Sequence, residues 1–115
     1  MKEETHNPLK NKICRLLQDD KVEEVNAILA EQGNVSLADA NLRSANLQGM
    51  HVKGTDFSNA YFRSANLKGL DMRTCMLEGA SLHGAKIAGT YFPDALTPEE
   101  ISLSVTNGTR LRYKR

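Results

Sequence analysis

The chain has 115 residues, 40% of them hydrophobic and 25% charged, with a formal net charge of +1, a composition that suits one soluble domain with a single core. Aromatic residues make up 5% and tryptophan is absent, which excludes a thick globular core and leaves a narrow interior filled mostly by Leu and Ala. The charge divides as −2 over residues 1–34, +1 over 35–94 and +2 over 95–115, too even outside the last few residues to imply a nucleic-acid or membrane partner.

The first residues, from Met1 to Asn7, are charged and lack the apolar run of a signal peptide. No stretch approaches the ~18 apolar residues that cross a bilayer, so the expected location is the cytoplasm. Asn7 as N-cap and Pro8 as first helical residue open a predicted helix to about Gln18, with Leu9, Ile13, Leu16 and Leu17 on one side. A second helix is predicted with Asp20 as its N-cap and Glu23 three residues on. Its apolar stripe is Val22, Val25, Ile28 and Leu29, and Gly33 ends it. A helix-turn-helix DNA-binding unit is disfavoured, because the second helix carries Glu23, Glu24 and Glu31 beside a single base, Lys21.

From residue 35 a large apolar residue recurs at every fifth position: Leu37, Leu42, Leu47, Val52, Phe57, Phe62, Leu67, Met72, Leu77, Leu82, Ile87 and Phe92. The residue two before each centre is usually small, as at Ala40, Ala45, Ala60, Ala65, Ala80 and Ala85, and six of the eight glycines close a pentad. Neither regular element accommodates this period. On a helix a step of five residues turns the centre by ~140°, and on a strand it puts alternate centres on opposite faces. The chain must therefore bend once per pentad, which is what Gly, Asn, Asp and Ser at the pentad ends suit. The segment from Arg43 to Gly49 is matched by that from Arg63 to Gly69, and the oversized Met50 and Leu70 share the same offset of twenty. Four pentads then make one turn of a coil, and residues 35–94 make three.

The tandem pattern Ala40-Asn41-Leu42-Arg43-Ser44, Ala45-Asn46-Leu47-Gln48-Gly49 resembles the pentapeptide-repeat family. The resemblance implies an all-β solenoid, a right-handed quadrilateral parallel β-helix of about three coils. The bulkier residues at Met50, Leu70 and Cys75 depart from the pattern and are expected to make one edge bulge. The domain division is then a helical cap over 1–34, twelve pentads over 35–94, and a helix with a basic tail over 95–115. The helices are expected to cap the open ends of the column, since unpaired edges invite aggregation.

The C-terminal helix is predicted from the capping box Thr97-Pro98-Glu99-Glu100, with Ile101, Leu103 and Val105 as its apolar residues and a stop near Gly108. Beyond it, Arg110, Leu111, Arg112 and Tyr113 alternate basic with apolar or aromatic residues. Such a tail is expected to be a solubilising end. Its alternatives are docking of Leu111 and Tyr113 on the last coil or on a second subunit, and contact with nucleic acid.

No catalytic constellation emerges. His6, His51 and His83 lie in different regions, Cys14 and Cys75 match no metal-ligand spacing, and no cofactor is implied. Cys75 is expected to be a buried thiol stacked with Val35 and Thr55. The twenty-residue turn instead stacks outward positions: Arg43, Arg63 and His83 form one column with Tyr61 adjacent, and Lys53 and Arg73 another, with His51, Asp71 and Tyr91 beside it. These columns and the tail are the candidate partner-binding surfaces. The function expected is a non-catalytic protein-interaction scaffold. The resemblance also offers DNA mimicry, by which some quinolone-resistance members of the family bind DNA gyrase, but that needs a long acidic rod, whereas this segment is short, nearly neutral and carries arginines. Nucleic-acid binding through the tail is the other alternative. A homodimer through an end face is suggested by the short column and the tail; a membrane partner is not.

Overall fold

The computed structural model describes residues 7–114, which contain three helices, α1 (Pro8–Gln18), α2 (Val22–Gln32) and α3 (Pro98–Asn107), with the pentads lying between α2 and α3. The expected class, an all-β solenoid in the form of a right-handed quadrilateral parallel β-helix, is corrected. Among the described residues there is no strand and no sheet, and the regular secondary structure is helical. What joins the pentads is a set of isolated single-residue bridges, six of them parallel and each between residues twenty apart: 41 with 61, 46 with 66, 56 with 76, 61 with 81, 66 with 86 and 71 with 91.

The physical reason lies in the corners. Ten of the twelve pentad ends have positive φ: Asp39, Ser44, Asn59 and Ser64, and glycines 49, 54, 69, 79, 84 and 89. A left-handed residue every fifth position interrupts any extended run before two consecutive residues can pair with a neighbour, so each side contributes one bridging residue flanked by turns. Asn41, Asn46, Asp56, Asn66 and Asp71 reinforce these turns, each accepting on its side-chain oxygen from the backbone N–H two residues on, at 2.8–3.2 Å.

The period of five puts its centres inside. Ten of the twelve are buried, and Phe57 and Phe62 meet with ring centroids 5.3 Å apart. Ile87 and Phe92, on the last turn, are half-buried. One core runs from Ile13 and Leu17 of α1 and Val25 and Leu29 of α2 through the centres to Leu96 and Leu111.

The ends are closed by specific hydrogen bonds. At the start, Asn46 N–H donates to Leu17 O at 3.0 Å, the place that Ala45 O takes one turn later when it accepts from Asn66. Asn26 of α2 accepts from His51 N–H at 2.8 Å and donates to Gly49 O at 3.0 Å. The expected cap of α2 is corrected, since its N-cap is Lys21, with no side-chain bond. Asp20 has φ +67 and ends α1: its N–H donates to Leu17 O and the next N–H, of Lys21, to Leu16 O. That pair of bonds needs a left-handed residue, and Asp can supply it. Asn7 and Thr97 cap α1 and α3 through Lys10 and Glu100 N–H, both at 3.1 Å.

At the other end α3 turns an unexpected face inward. Leu103, one of its predicted apolar residues, is 41% exposed, whereas Ser104 is fully buried. The Ser104 hydroxyl accepts from Leu82 N–H at 2.9 Å and donates to Thr109 O at 2.6 Å. The tail then lies across the last turn. Residues 81 and 110 form an antiparallel bridge, Leu111 exchanges two backbone bonds with Gly79 and Ala80 at 2.8 Å, and its side chain is buried.

Candidate functional site

Outward side chains occupy the positions on either side of each buried centre, and the twenty-residue period aligns them into four walls. Arg43, Tyr61 and Arg63 share one wall. Its register is set by Leu42 N–H to Tyr61 O and Ser44 N–H to Arg63 O, both at 2.8 Å, and by Ser64 N–H to His83 O at 2.9 Å. Arg43 and Arg63 are exposed and belong to no ion pair among the described residues, and Tyr61, stacked over Asn41 and two residues before Arg63, is 38% exposed. His83 continues the column but is half-buried, because Gly108 at the end of α3 packs on it: a Cβ added to Gly108 would stand 3.2 Å from three atoms of His83.

Lys53, Arg73 and Tyr91 lie on the wall half a turn away, so the structure does not bring the two columns together on one face. Arg73 there is already engaged. Its Nε and Nη2 donate to the two carboxylate oxygens of Asp71 at 2.9 and 2.8 Å, and its guanidinium carbon lies 5.2 Å from the centre of the Tyr91 ring. The Arg73 fork holds the Asp71 carboxyl down at about 2. Lys53 and His51 are exposed on the first turn of this wall, with no bridge joining residue 51 to residue 71. The bulky pair Met50 and Leu70 is buried here, and Gly54 N–H turns to the Thr74 hydroxyl at 3.0 Å instead of to a backbone carbonyl.

The tail residues are largely occupied. Arg110 Nη1 donates to Gly79 O at 2.7 Å, Arg112 contacts the Glu100 carboxylate through its backbone N–H at 3.0 Å and its Nε at 3.6 Å, and Tyr113 accepts from Leu77 N–H at 2.9 Å. Leu111 is buried and offers no surface.

The remaining reactive groups are separate. His6 lies outside the described residues, and His51 and His83 sit on different walls. Both thiols are free. Burial pushes the Cys75 thiol up to about 11, and Sγ donates to Val52 O at 3.1 Å. Cys14 is also raised, again chiefly by burial. Neither has the depressed pKa of a nucleophile. Among the described residues no helix is long and apolar enough to cross a membrane.

Several residues that shape the surface carry no repeat signal. Gln18 of α1 donates to Asn41 O and Arg43 O at 3.4 and 3.2 Å, and Lys10 donates to Ala38 O. Together with Asn11, Arg15, Asp39 and Asn41 they line a cleft of about 410 Å³ between α1 and the first turn. Polar residues on an otherwise amphipathic helix were the available sign, and nothing in their spacing told which carbonyls they would meet.

Comparison with known proteins gives one finding. A family model described as pentapeptide repeats matches in eight copies, over residues 33–59, 40–79 and 55–95. No curated protein and no solved structure matches the chain. The matched segments together run from residue 33 to residue 95, more than half of the sequence, and cover the residues whose apolar centres are buried and whose corners turn left-handed. The chain belongs to the pentapeptide-repeat family.

Proposed function

We propose that this chain is a non-catalytic protein-binding scaffold of the cytoplasm, working through the wall that carries Arg43, Tyr61 and Arg63. The observation that carries it is the fixed placement of two guanidiniums, without an ion pair among the described residues, one turn apart beside a partly exposed tyrosine, on a backbone tied in register at 2.8 Å. A surface already held rigid loses little entropy on binding, and Arg and Tyr are the residues that most often anchor protein interfaces. Among the described residues the two thiols are raised in pKa by burial and His51 and His83 sit on different walls, which supports a role without catalysis.

The two alternatives that the sequence raised gain less support. DNA mimicry requires a regular negative surface, whereas this wall is basic. Nucleic-acid binding by the tail rests on many phosphate contacts, whereas Arg112 is paired with the Glu100 carboxylate and the tail backbone is tied to Gly79 and Ala80.

The test is affinity capture of the full chain from extracts of its native cell, in parallel with an Arg43→Glu, Arg63→Glu variant. A protein retained by the native chain and lost from the variant is expected. Failure of the native chain to retain any protein, or retention undiminished in the variant, would overturn the assignment.

A further inference from the structure

The basic wall does not stop at the first turn. Gln18 of α1 is bonded to the carbonyls of Asn41 and Arg43, so the foot of the Arg43 column opens directly into the cleft beneath α1. Two more cations line that cleft, Lys10 and Arg15, and Arg15 has no ion pair among the described residues. Lys10 is held in place by its bond to Ala38 O. Lys10 and Arg15 in the cleft and Arg43 and Arg63 on the wall are thus linked through Gln18 and Asn41. Asp39 lines the cleft, Asp19 stands exposed at the end of α1 just after Gln18, and Asp20 is held by Asn46 on the adjoining wall. The wall itself carries Arg43 and Arg63 with no ion pair among the described residues, so the excess of positive charge is greatest there. By contrast Arg73 on the far wall is neutralised by Asp71.

Resting on the scaffold assignment above, we infer that this wall and cleft together are the docking track for an extended acidic segment of a partner protein. Charge complementarity sets the class of partner. Repelling cations held in register are relieved by carboxylates, and Arg presents its fork to them. The cleft sets the form. Its amide side chains, Asn11, Gln18 and Asn41, with Asp39, offer both donors and acceptors, which suits a peptide backbone carrying N–H and C=O groups alike. A DNA backbone carries no such donors. Four cations are also few for a polyanion whose binding rests on many phosphate contacts.

The probe is a fluorescein-labelled peptide of alternating Glu and Ala, titrated with the full chain and read by fluorescence anisotropy, with labelled oligo-dT as the competing class. Saturable binding of the peptide is expected. It should weaken by about tenfold in Arg43→Gln, Arg63→Gln and severalfold in Lys10→Gln, Arg15→Gln, and fall as salt is raised. Lys53→Gln on the opposite wall should leave it within about twofold, since exposed charges beyond a Debye length are screened. Unchanged melting of each variant shows that folding is intact. No saturable binding, equal loss in the Lys53 variant, or oligo-dT binding tighter than the peptide would overturn the inference. The scaffold assignment fails separately: a captured partner that tolerates Lys10→Gln, Arg15→Gln but is lost with Arg43→Glu, Arg63→Glu leaves the scaffold standing and sinks the track.

Discussion

The phenol oxygen of Tyr113 accepts a hydrogen bond from the backbone N–H of Leu77 at 2.9 Å, thirty-six residues earlier in the chain. Leu77 N–H stands where an N–H one turn earlier, that of Phe57, finds Met76 O at 2.8 Å. The tyrosine therefore takes the place of a further turn. Replacing it by Phe should leave a half-buried donor without a partner and destabilise the chain by about 1–2 kcal/mol. Truncating the buried Leu111 to Ala should cost about 2–4 kcal/mol. Urea denaturation followed by circular dichroism measures both. Midpoints unchanged from the native chain would show that the tail is a free end after all.

The reach of the sequence is clearest where one residue type has one physical use. The pentad centres from Leu37 to Leu82 are buried as their spacing demands, and Asn7, Pro8 and Thr97 stand at the helix starts that their chemistry suits. Asp20 shows the converse: an aspartate can cap a following helix or turn left-handed to end the preceding one, and only the packing of α1 against Asn46 decides. The strands failed for a related reason. A period of five says that the chain turns a corner, but not how many residues between corners face a neighbour, and the answer is one. Alternation of Arg with Leu and Tyr is compatible with a charged end or with docking on the last turn, and the sequence does not choose, because the open carbonyl and amide of Ala80 and Gly79 that receive the tail are invisible in it. The candidate wall residues were legible as columns; the cleft that extends them was not, because it depends on where α1 settles.

Glycine is required at 108 for two reasons that can be separated. Its φ is +76°, and an added Cβ would press on Cβ, Cγ and Nδ1 of His83 at 3.2 Å. Gly69 has a similar φ of +74° but open space around it. Gly69→Ala should therefore cost only the left-handed penalty of about 1–2 kcal/mol. Gly108→Ala should cost more, by about 1 kcal/mol or above, because the packed neighbour must also move. Shortening His83 to Ala removes Cγ and Nδ1 but keeps Cβ, so it should recover part of that excess in a double-mutant cycle read by thermal melting. Equal losses at both glycines, with no coupling to His83, would reject the contact.

Acid should act on the Asp71 and Arg73 pair in a defined window. The folded-state pKa of Asp71 is lowered to about 2, first by the side-chain bonds from Arg73, and an unfolded aspartate titrates near ~3.9. For a depressed carboxyl the stabilising contribution is fully present above the unfolded value and is lost as pH falls from ~4 to about 2. Both side chains are well exposed, so the effect on overall stability should be small and salt-sensitive. The titration itself is the sharper readout. Carboxyl NMR should follow Asp71 with a midpoint near 2, rising toward the ordinary aspartate range in Arg73→Gln. A native midpoint near ~4 would show the fork to be absent in solution.

The wall of Met50 and Leu70 should be the weak seam of the column. Elsewhere the first and second turns are joined by pairs such as Leu42 N–H to Tyr61 O and Tyr61 N–H to Ala40 O, at 2.8 and 2.9 Å. Between residues 50–53 and 70–73 no such bond occurs among the described residues, and the bridge of 51 to 71 is missing. Two large side chains occupy the positions that alanines fill on the second and third walls, at 40, 60 and 80 and at 45, 65 and 85. The larger volume is the expected cause of the missing bonds, and both side chains remain buried in the core. Amides without a ladder acceptor open without breaking anything, so Val52 and Asp71 should exchange with deuterium at least about tenfold faster than Leu42 and Tyr61. His51 should be the exception, since Asn26 of α2 accepts from its N–H at 2.8 Å. Asn26→Ala would remove that protection and leave Leu42 and Tyr61 unchanged. Uniform exchange across the four walls would mean that the turns close up at Met50 and Leu70, and that the size of the residue two before each centre does not set the spacing.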